Sequence, residues 1–466
     1  MLFNSLDFLI FYVVIFFLYW AVPREKIKLQ NILLLCGSYF FYGWWDWRFL
    51  SIIVFSTVVD YILGLQIEKQ AHRKKLFLKI SIFTNLCLLG VFKYFNFFID
   101  SWVDLWSIFG YEMSVSTLNI ILPVGISFYT FQTMSYTIDV YRGDIKATKD
   151  FLAFATFVSF FPQLVAGPIE RASNLIPQLT SKRVWNHQKF KDAILQIAVG
   201  FFRKVVVADS IGAFIDHVYN APDIYNSPTI FVAVILYSFQ VYFDFSGYSD
   251  IAIGTARILG FDFKRNFNLP YFSSSISEFW RRWHLSLSRW LRDYLYIPMG
   301  GNRRGDLIQY RNILVTLLLA GLWHGSSWNF VIWGGIHGLL LCFEKRTGLI
   351  PKNFKLGNCI VIFLILSLSR IFFRSLDIGD SFVIIQKLVN WQGTVVDIRN
   401  ISIFATVLYG LLITFIIDTF LFVSKIDLEE LGSKIKDFGY VALVCFLTIN
   451  IVLFFSSSNT FIYFQF

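Results

Sequence analysis

Two of the six histidines in this 466-residue chain stand where an imidazole could move a proton. His324, in Trp323-His324-Gly325, follows an apolar run from Ile313 to Leu322, with Gly321, Gly325, Ser326 and Ser327 around it. A titratable ring among residues greasy enough for a bilayer costs free energy, so it points to chemistry or to a polar pin. Glycines permit close backbone approach and sharp turns, which would let a substrate reach the ring. Near neutral pH an imidazole takes a proton from a hydroxyl and returns it to a leaving group, which suits transfer between alcohols or thiols. The structural alternative is a histidine that holds a helix break through a hydrogen bond.

The second histidine lies in Glu278–Tyr294. At about 100° per residue, Trp280, Trp283, His284, Leu287, Trp290, Leu291 and Tyr294 share one side of a helical wheel, and Arg281, Arg282, Arg289 and Arg292 the other. This is the pattern of one amphipathic helix lying at the cytoplasmic interface. Its arginines suit anionic headgroups or a phosphorylated donor. His284 shares the aromatic arc, where it reads either as a hydrogen-bonded core residue or as a partner for His324. His337, in Trp333-Gly334-Gly335-Ile336-His337-Gly338, has small neighbours that favour close helix packing, so a structural role fits it at least as well. No Gly-x-Ser-x-Gly elbow and no HExxH cluster occurs. Asp244 and Asp250 with the histidines make only a weak case for a metal, and no metal site is expected.

These groups must be positioned by helices in a membrane. The chain is 56% hydrophobic and 15% charged, and apolar runs recur from Leu6 to Phe464. About a dozen runs, several shorter than the ~20 residues that span a bilayer, predict tilted, broken or re-entrant helices. Non-helical backbone at membrane depth needs protein or a water-filled cavity to satisfy its polar groups, so an internal cavity is expected. Pro123–Gln132, Phe161–Pro168 and Phe243–Asp250 mix Gly, Pro and polar groups into apolar surroundings and read as its walls. Leu6–Val22 reads as a permanent first span, because basic residues follow it and no small-residue cleavage site ends it. The formal charge of +10 resides in short loops such as Pro23–Lys28 and His72–Lys75, a topology signal and not a nucleic-acid face. If those loops are cytoplasmic, the N-terminus lies outside. The five cysteines show no CxxC spacing, so neither a disulfide framework nor a zinc site is indicated. No repeat or linker divides the chain, and one membrane domain over residues 1–466 is expected.

Phe279–Asn302, which contains Phe279-Trp280-Arg281-Arg282-Trp283-His284, and then Leu322-Trp323-His324-Gly325 strongly resemble the membrane-bound O-acyltransferase family. Pro123–Phe128, Gly167-Pro168 and Tyr242–Asp250 match the same family in order, so the likeness covers most of the chain. It is nearest to the bacterial branch of alginate and peptidoglycan O-acetyltransferase membrane subunits, and more distantly resembles the D-alanyl transferase of teichoic acid. The resemblance implies an all-α polytopic membrane protein, a ring of helices around a thin centre with a funnel on each face. It implies that His324 is the catalytic histidine and that His284 occupies the family's second histidine or asparagine position.

From the resemblance follows acyl transfer, with His324 as general base and His284 orienting or polarising the acyl carbonyl, through a ternary complex or an acyl-enzyme. Trp323, Trp280, Trp283 and Tyr294 would line the cavity. Acetyl-CoA is the implied donor, its phosphates drawn by Arg281, Arg282, Arg289 and Arg292, with a carrier-protein thioester as the alternative. Further implications are the bacterial inner membrane as location, a polysaccharide acceptor outside it, and an extracytoplasmic SGNH-type transferase as partner. The aromatic tail Thr460–Phe466 reads as an interfacial anchor or as a docking element for that partner. A transporter without chemistry is the remaining reading, and the absence of an inverted repeat argues against it.

Overall fold

In the computed structural model, which describes residues 1–112, 115, 120–165, 167–348, 355–398 and 401–455, helices supply all the regular structure. The aromatic tail Thr460–Phe466 lies outside the described residues. Five helical stretches are long and apolar enough to cross a membrane: Ile27–Lys69, Lys74–Ile108, Ser227–Ile258, Leu356–Arg374 and Ile401–Ser424. The chain is therefore a multi-pass membrane protein.

Contacts divide the chain into two compact units. The first contains Met1, Leu6–Val184 and Phe261–Phe263. Its helices are α1 (Leu6–Ala21), α2 (Ile27–Asp46), α3 (Leu50–Lys69), α4 (Lys74–Leu89), α5 (Phe95–Ile108), α6 (Ile126–Arg142), α7 (Phe151–Ser159), α8 (Phe161–Leu164) and α9 (Ala172–Thr180). Lipid gives helices no hydrophobic reason to associate, so buried polar groups and small residues do that work. Asp60 on α3 accepts from Ser81 (2.6 Å) and Asn85 (2.8 Å) on α4, and Asn85 in turn accepts from Thr133 (3.1 Å) on α6. The stretch Pro123–Gln132 enters α6 at Gly125, whose φ of +75° suits glycine and whose missing Cβ would stand 2.4 Å from the Leu164 carbonyl oxygen. Almost all of α6 is buried.

The second unit contains Leu2–Ser5, Trp185–Gly260 and the chain from Lys264 onward. Its helices are α10 (His187–Phe201), α11 (Asp209–Asn220), α12 (Ser227–Ile258), α13 (Ile276–Trp280), α14 (Leu285–Leu291), α15 (Asp306–His324), α16 (Trp328–Thr347), α17 (Leu356–Ser369), α18 (Ile371–Arg374), α19 (Ile378–Val389), α20 (Ile401–Ser424), α21 (Leu428–Lys434) and α22 (Asp437–Leu453). Asn226 starts α12 by accepting the Thr229 amide at 3.1 Å, and Pro228 in its first turn loses no hydrogen bond there. The central part of α12, from Val241 to Ser249, is buried, in keeping with its mixed apolar and polar texture.

Between α10 and α11, Phe202–Ala208 winds as a π-helix and carries two buried cations side by side. Arg203 bridges Asp250 (2.8 Å) and Asp418 (2.5 Å), and Lys204 bridges Asp209 (2.8 Å) and Asp244 (2.6 Å). Buried ions persist only when paired, and here Asp244 and Asp250 are taken up by the cations. The pairs fasten α12 and α20 to the π turn.

The amphipathic helix expected over Glu278–Tyr294 is not continuous. It is broken into α13, a turn at 281–284, α14 and a π turn at Arg292–Tyr296. The break occurs because His284 has φ +42° and ψ +56°, a left-handed conformation that no right-handed helix accommodates. The division of faces nevertheless holds: Trp283, His284, Leu287, Trp290, Leu291 and Tyr294 are buried, Trp280 is half-buried, and Arg281, Arg289 and Arg292 are exposed.

Candidate active site

His324 is the last residue of α15, and glycines hold that helix against α16. A Cβ on Gly321 would stand 2.1 Å from the Phe330 carbonyl oxygen, and one on Gly334 2.1 Å from the Leu317 carbonyl oxygen. The α carbon of each glycine lies 3.3 Å from the position a Cβ would take on the other, so the two backbones touch where the glycines face one another. One turn beyond Gly321, a Cβ on Gly325 would meet the Phe330 ring at 2.0 Å. The hairpin thereby fixes both the end of α15 and the start of α16.

Aromatic rings enclose the His324 imidazole, which is 3% exposed. Trp323 lies at 5.0 Å between centroids, Phe373 at 5.3 Å and Trp333 at 5.4 Å. Edge-on packing of this kind orients a ring without consuming its nitrogens. His284, fully buried, has its ring centroid 6.3 Å from that of His324 and 5.8 Å from that of Trp323. Phe245 and Phe267 close its other sides at 4.7 and 6.4 Å. Burial in this shell pushes the His284 pKa down to about 3, so its ring is neutral at ordinary pH. The two histidines, 40 positions apart in sequence (324 − 284), share one buried aromatic surround.

The short pieces that carry His284 are tied down by side chains. Glu344 on α16 accepts the first amides of α13, Ile276 at 2.7 Å and Ser277 at 3.2 Å, and Ser275 accepts that of Glu278 at 3.1 Å. Residues 266–268 then brace the turn: the Leu285 amide donates to the Asn266 carbonyl at 2.8 Å, and the Asn268 amide to the Arg282 carbonyl at 2.9 Å. Asn266 also reaches His284 with its side chain, its Oδ1 lying 3.0 Å from Nδ1.

His337 stands apart from this pair. Its Nε2 bonds the Ser369 hydroxyl at 3.1 Å, and its ring packs on Trp333 (4.6 Å) and Trp280 (5.4 Å). It supports the Trp333 wall from behind, which is a structural position. Trp323 touches both histidines; Trp280 sits behind Trp333 at 6.0 Å, Trp283 packs on Phe267 at 5.1 Å, and Tyr294 packs on Trp290 at 5.1 Å. Arg282 is bound to Glu278 at 2.8 Å and Arg292 to Asp293 at 2.7 Å, and Arg281, Arg289 and Arg292 are exposed.

Trp333, Phe373, Asn266 and Arg370 belong to this neighbourhood without having stood out in the sequence. Arg370 is buried, with its guanidinium 5.0 Å from the Trp283 ring, 5.5 Å from Tyr271 and 5.7 Å from Phe279. Tyr242 and Tyr271 pack on Trp283 at 6.2 and 6.5 Å between centroids and also line an apolar cavity of about 520 Å³ with Phe363, Leu411 and Phe415. A smaller polar recess of about 50 Å³ is lined by Arg203, Arg265, Asp427 and Asn266.

A model of the membrane-bound O-acyltransferase family matches residues 144–373, a range that contains both histidines. The chain is 41% identical over 381 residues to the probable alginate O-acetylase of Azotobacter vinelandii, covering 80% of this chain and 75% of that protein. It is 31% identical over 429 residues to the peptidoglycan O-acetyltransferase of Helicobacter pylori, covering 84% and 80%. A shorter match, 29% identical over 255 residues and covering 50% of this chain and 64% of the relative, joins it to the teichoic acid D-alanyltransferase of Bacillus subtilis.

Proposed function

Because this chain belongs to the membrane-bound O-acyltransferase family, we propose that it passes an acetyl group from a cytoplasmic donor across the bilayer to hydroxyls of an extracytoplasmic polysaccharide. The chain is a membrane acyltransferase; the donor, the acceptor and the direction of transfer are the proposed parts. The observation that carries the reading is the pairing of His284 with His324 in one buried aromatic surround, at a centroid distance of 6.3 Å, inside the family-matched range. Such a surround keeps water from intercepting an acyl group while leaving imidazole nitrogens to handle a proton.

In the proposed reaction the acceptor hydroxyl attacks the thioester carbonyl of acetyl-CoA. The new ester C–O bond forms, the C–S bond breaks, and His324 takes the hydroxyl proton and delivers it to the departing thiolate sulfur. Arg281, Arg282, Arg289 and Arg292, on the segment that carries His284, would draw the donor's phosphates from the cytoplasmic side. The protein would lie in the bacterial inner membrane and work with an extracytoplasmic SGNH-type transferase that completes delivery. The named acceptors of the two long matches, alginate and peptidoglycan, are both polymers outside that membrane.

Transfer of labelled acetyl from acetyl-CoA to polymer in isolated membranes tests the proposal. His324→Ala should lower the rate by at least about 10²-fold, and an unchanged rate would overturn the assignment. The shorter match, to a D-alanyltransferase, favours a second reading, D-alanyl or other acyl transfer, for which we propose a carrier-protein thioester as donor. Transfer from a purified acylated carrier, with none from acetyl-CoA, would replace the first donor by the second. Trapping label on the protein itself would show an acyl-enzyme.

A further inference from the structure

We infer that Asn266 is a positioning residue that holds His284 in its Nδ1–H tautomer, leaving Nε2 beside His324 as a bare hydrogen-bond acceptor. The inference rests on the acyl-transfer reading for its meaning and on hydrogen-bond geometry for its content.

The Asn266 side chain has only one orientation compatible with its neighbours. Its Oδ1 lies 3.3 Å from the backbone amide of Ser286 and 2.9 Å from the Ser286 hydroxyl, while its Nδ2 lies 3.1 Å from the Ser249 hydroxyl. A backbone N–H can only donate, so the atom facing it is the carbonyl oxygen; the flipped amide would set donor against donor. That same oxygen stands 3.0 Å from His284 Nδ1. An oxygen that is only an acceptor requires a proton on the nitrogen, and a neutral imidazole carries just one. The proton is therefore on Nδ1, and Nε2 is left as an acceptor. Nε2 is buried and has no hydrogen-bond partner among the described residues.

The tautomer restricts what His284 does. A ring with a bare Nε2 cannot donate to a carbonyl oxygen, so it does not polarise the acyl group in its neutral form. It accepts instead, and the group it suits is an O–H. A centroid separation of 6.3 Å from His324 is too long for a direct N–H···N bond between the rings. The clamp is tight because Asn266 is itself buried and its own carbonyl takes the Leu285 amide, so ring and backbone of the strained turn are held by one residue.

Two variants separate positioning from mere support. Asn266→Leu removes the acceptor, frees the tautomer, and should lower kcat about 10–100-fold with little change in KM. Asn266→Asp keeps an oxygen at the same place, and its four polar neighbours, two hydroxyls, an amide and the imidazole N–H, can all donate to a carboxylate. It should retain transfer at alkaline pH, but an adjacent anion favours the imidazolium, so the acid limb of kcat against pH should move upward from that of the wild type. The second readout needs no turnover. In protein labelled with ¹⁵N-histidine, the signals missing from the His284→Ala variant belong to His284, and they should show a protonated Nδ1 and a bare Nε2. A protonated Nε2 in the wild type would overturn the inference whether or not acetyl transfer proves to be the reaction, and where transfer is seen an unshifted pH profile in Asn266→Asp would overturn it too.

Discussion

Alanine at Gly334 places a methyl group 2.1 Å from the Leu317 carbonyl oxygen, whereas alanine at the adjacent Gly335 places one 3.4 Å from the Leu318 side chain. Cβ atoms essentially never lie closer than 3.0 Å to such neighbours, so α15 and α16 must part by about 0.9 Å (3.0 − 2.1) to accept the first change. The obstructing atom is backbone and cannot rotate away. Overpacking of this kind costs roughly 1–3 kcal/mol, and the Gly335 contact is ordinary van der Waals packing. The opening lies beside the chemistry: Trp333, which packs on His324, immediately precedes Gly334, and His324 is one turn beyond Gly321. Misplacing a reacting group by 1 Å is worth about 10²-fold in rate. We therefore expect Gly334→Ala to lose about 10–100-fold in acyl transfer per folded molecule, and Gly335→Ala to stay within about twofold, the scatter allowed by a few tenths of a kcal/mol. The assay is the initial rate in membranes, normalised to protein that remains monodisperse in detergent. Equal rates for the two variants would refute the argument that glycine contact between these helices sets the site.

Two further outcomes follow from the burial of charge and from backbone strain. Asp418→Ala should destabilise the protein by about 3–5 kcal/mol, because it leaves Arg203 with only Asp250, and Lys191, whose partner Asp437 is solvent-exposed, should tolerate alanine with little effect; chemical denaturation in detergent distinguishes them. His284→Gly should be more stable than His284→Ala by about 1 kcal/mol, since glycine accepts φ +42° without strain, although both lack the ring. The same residue predicts a pH signature. Its folded pKa, about 3, lies below its unfolded value near 6.5, so the unfolded chain binds the proton first and stability falls as pH drops from about 6.5 toward 3. Either variant should show a shallower loss than the wild type between pH 7 and 5.

His324 was legible because a helix-length apolar run ended at it among glycines, and glycines are what let α15 and α16 touch. The division between arginines and aromatics over Glu278–Tyr294 was also legible, because each short helix keeps its own spacing across the break. The break itself was not, since φ > 0 at a histidine leaves no mark in local propensity. Helix α6 was readable only as a wall, because Ser127, Thr130, Gln132, Thr133 and Ser135 interrupt the apolar pattern that marks a span. Asn266 escaped notice for a different reason: it lies 18 positions before His284 and reaches it through a loop that carries no period. Trp333 and Phe373 were hidden among 14 tryptophans and 54 phenylalanines, where residue type alone selects nothing.

The two carboxylates on Arg203 arrive at very different times. Asp250 follows Arg203 by 47 residues and Asp418 by 215. At bacterial and eukaryotic synthesis rates of about 5–20 residues per second, Asp418 leaves the ribosome on the order of 10–40 s after Arg203. Of its two carboxylate partners, only Asp250 is available to the arginine for most of that interval. The helix that brings Asp418, α20, is apolar enough to enter the bilayer alone, and its carboxylate then costs less beside the waiting guanidinium than in lipid. The cation on the π turn thus ties the final position of a late-made helix to one synthesised some two hundred residues earlier.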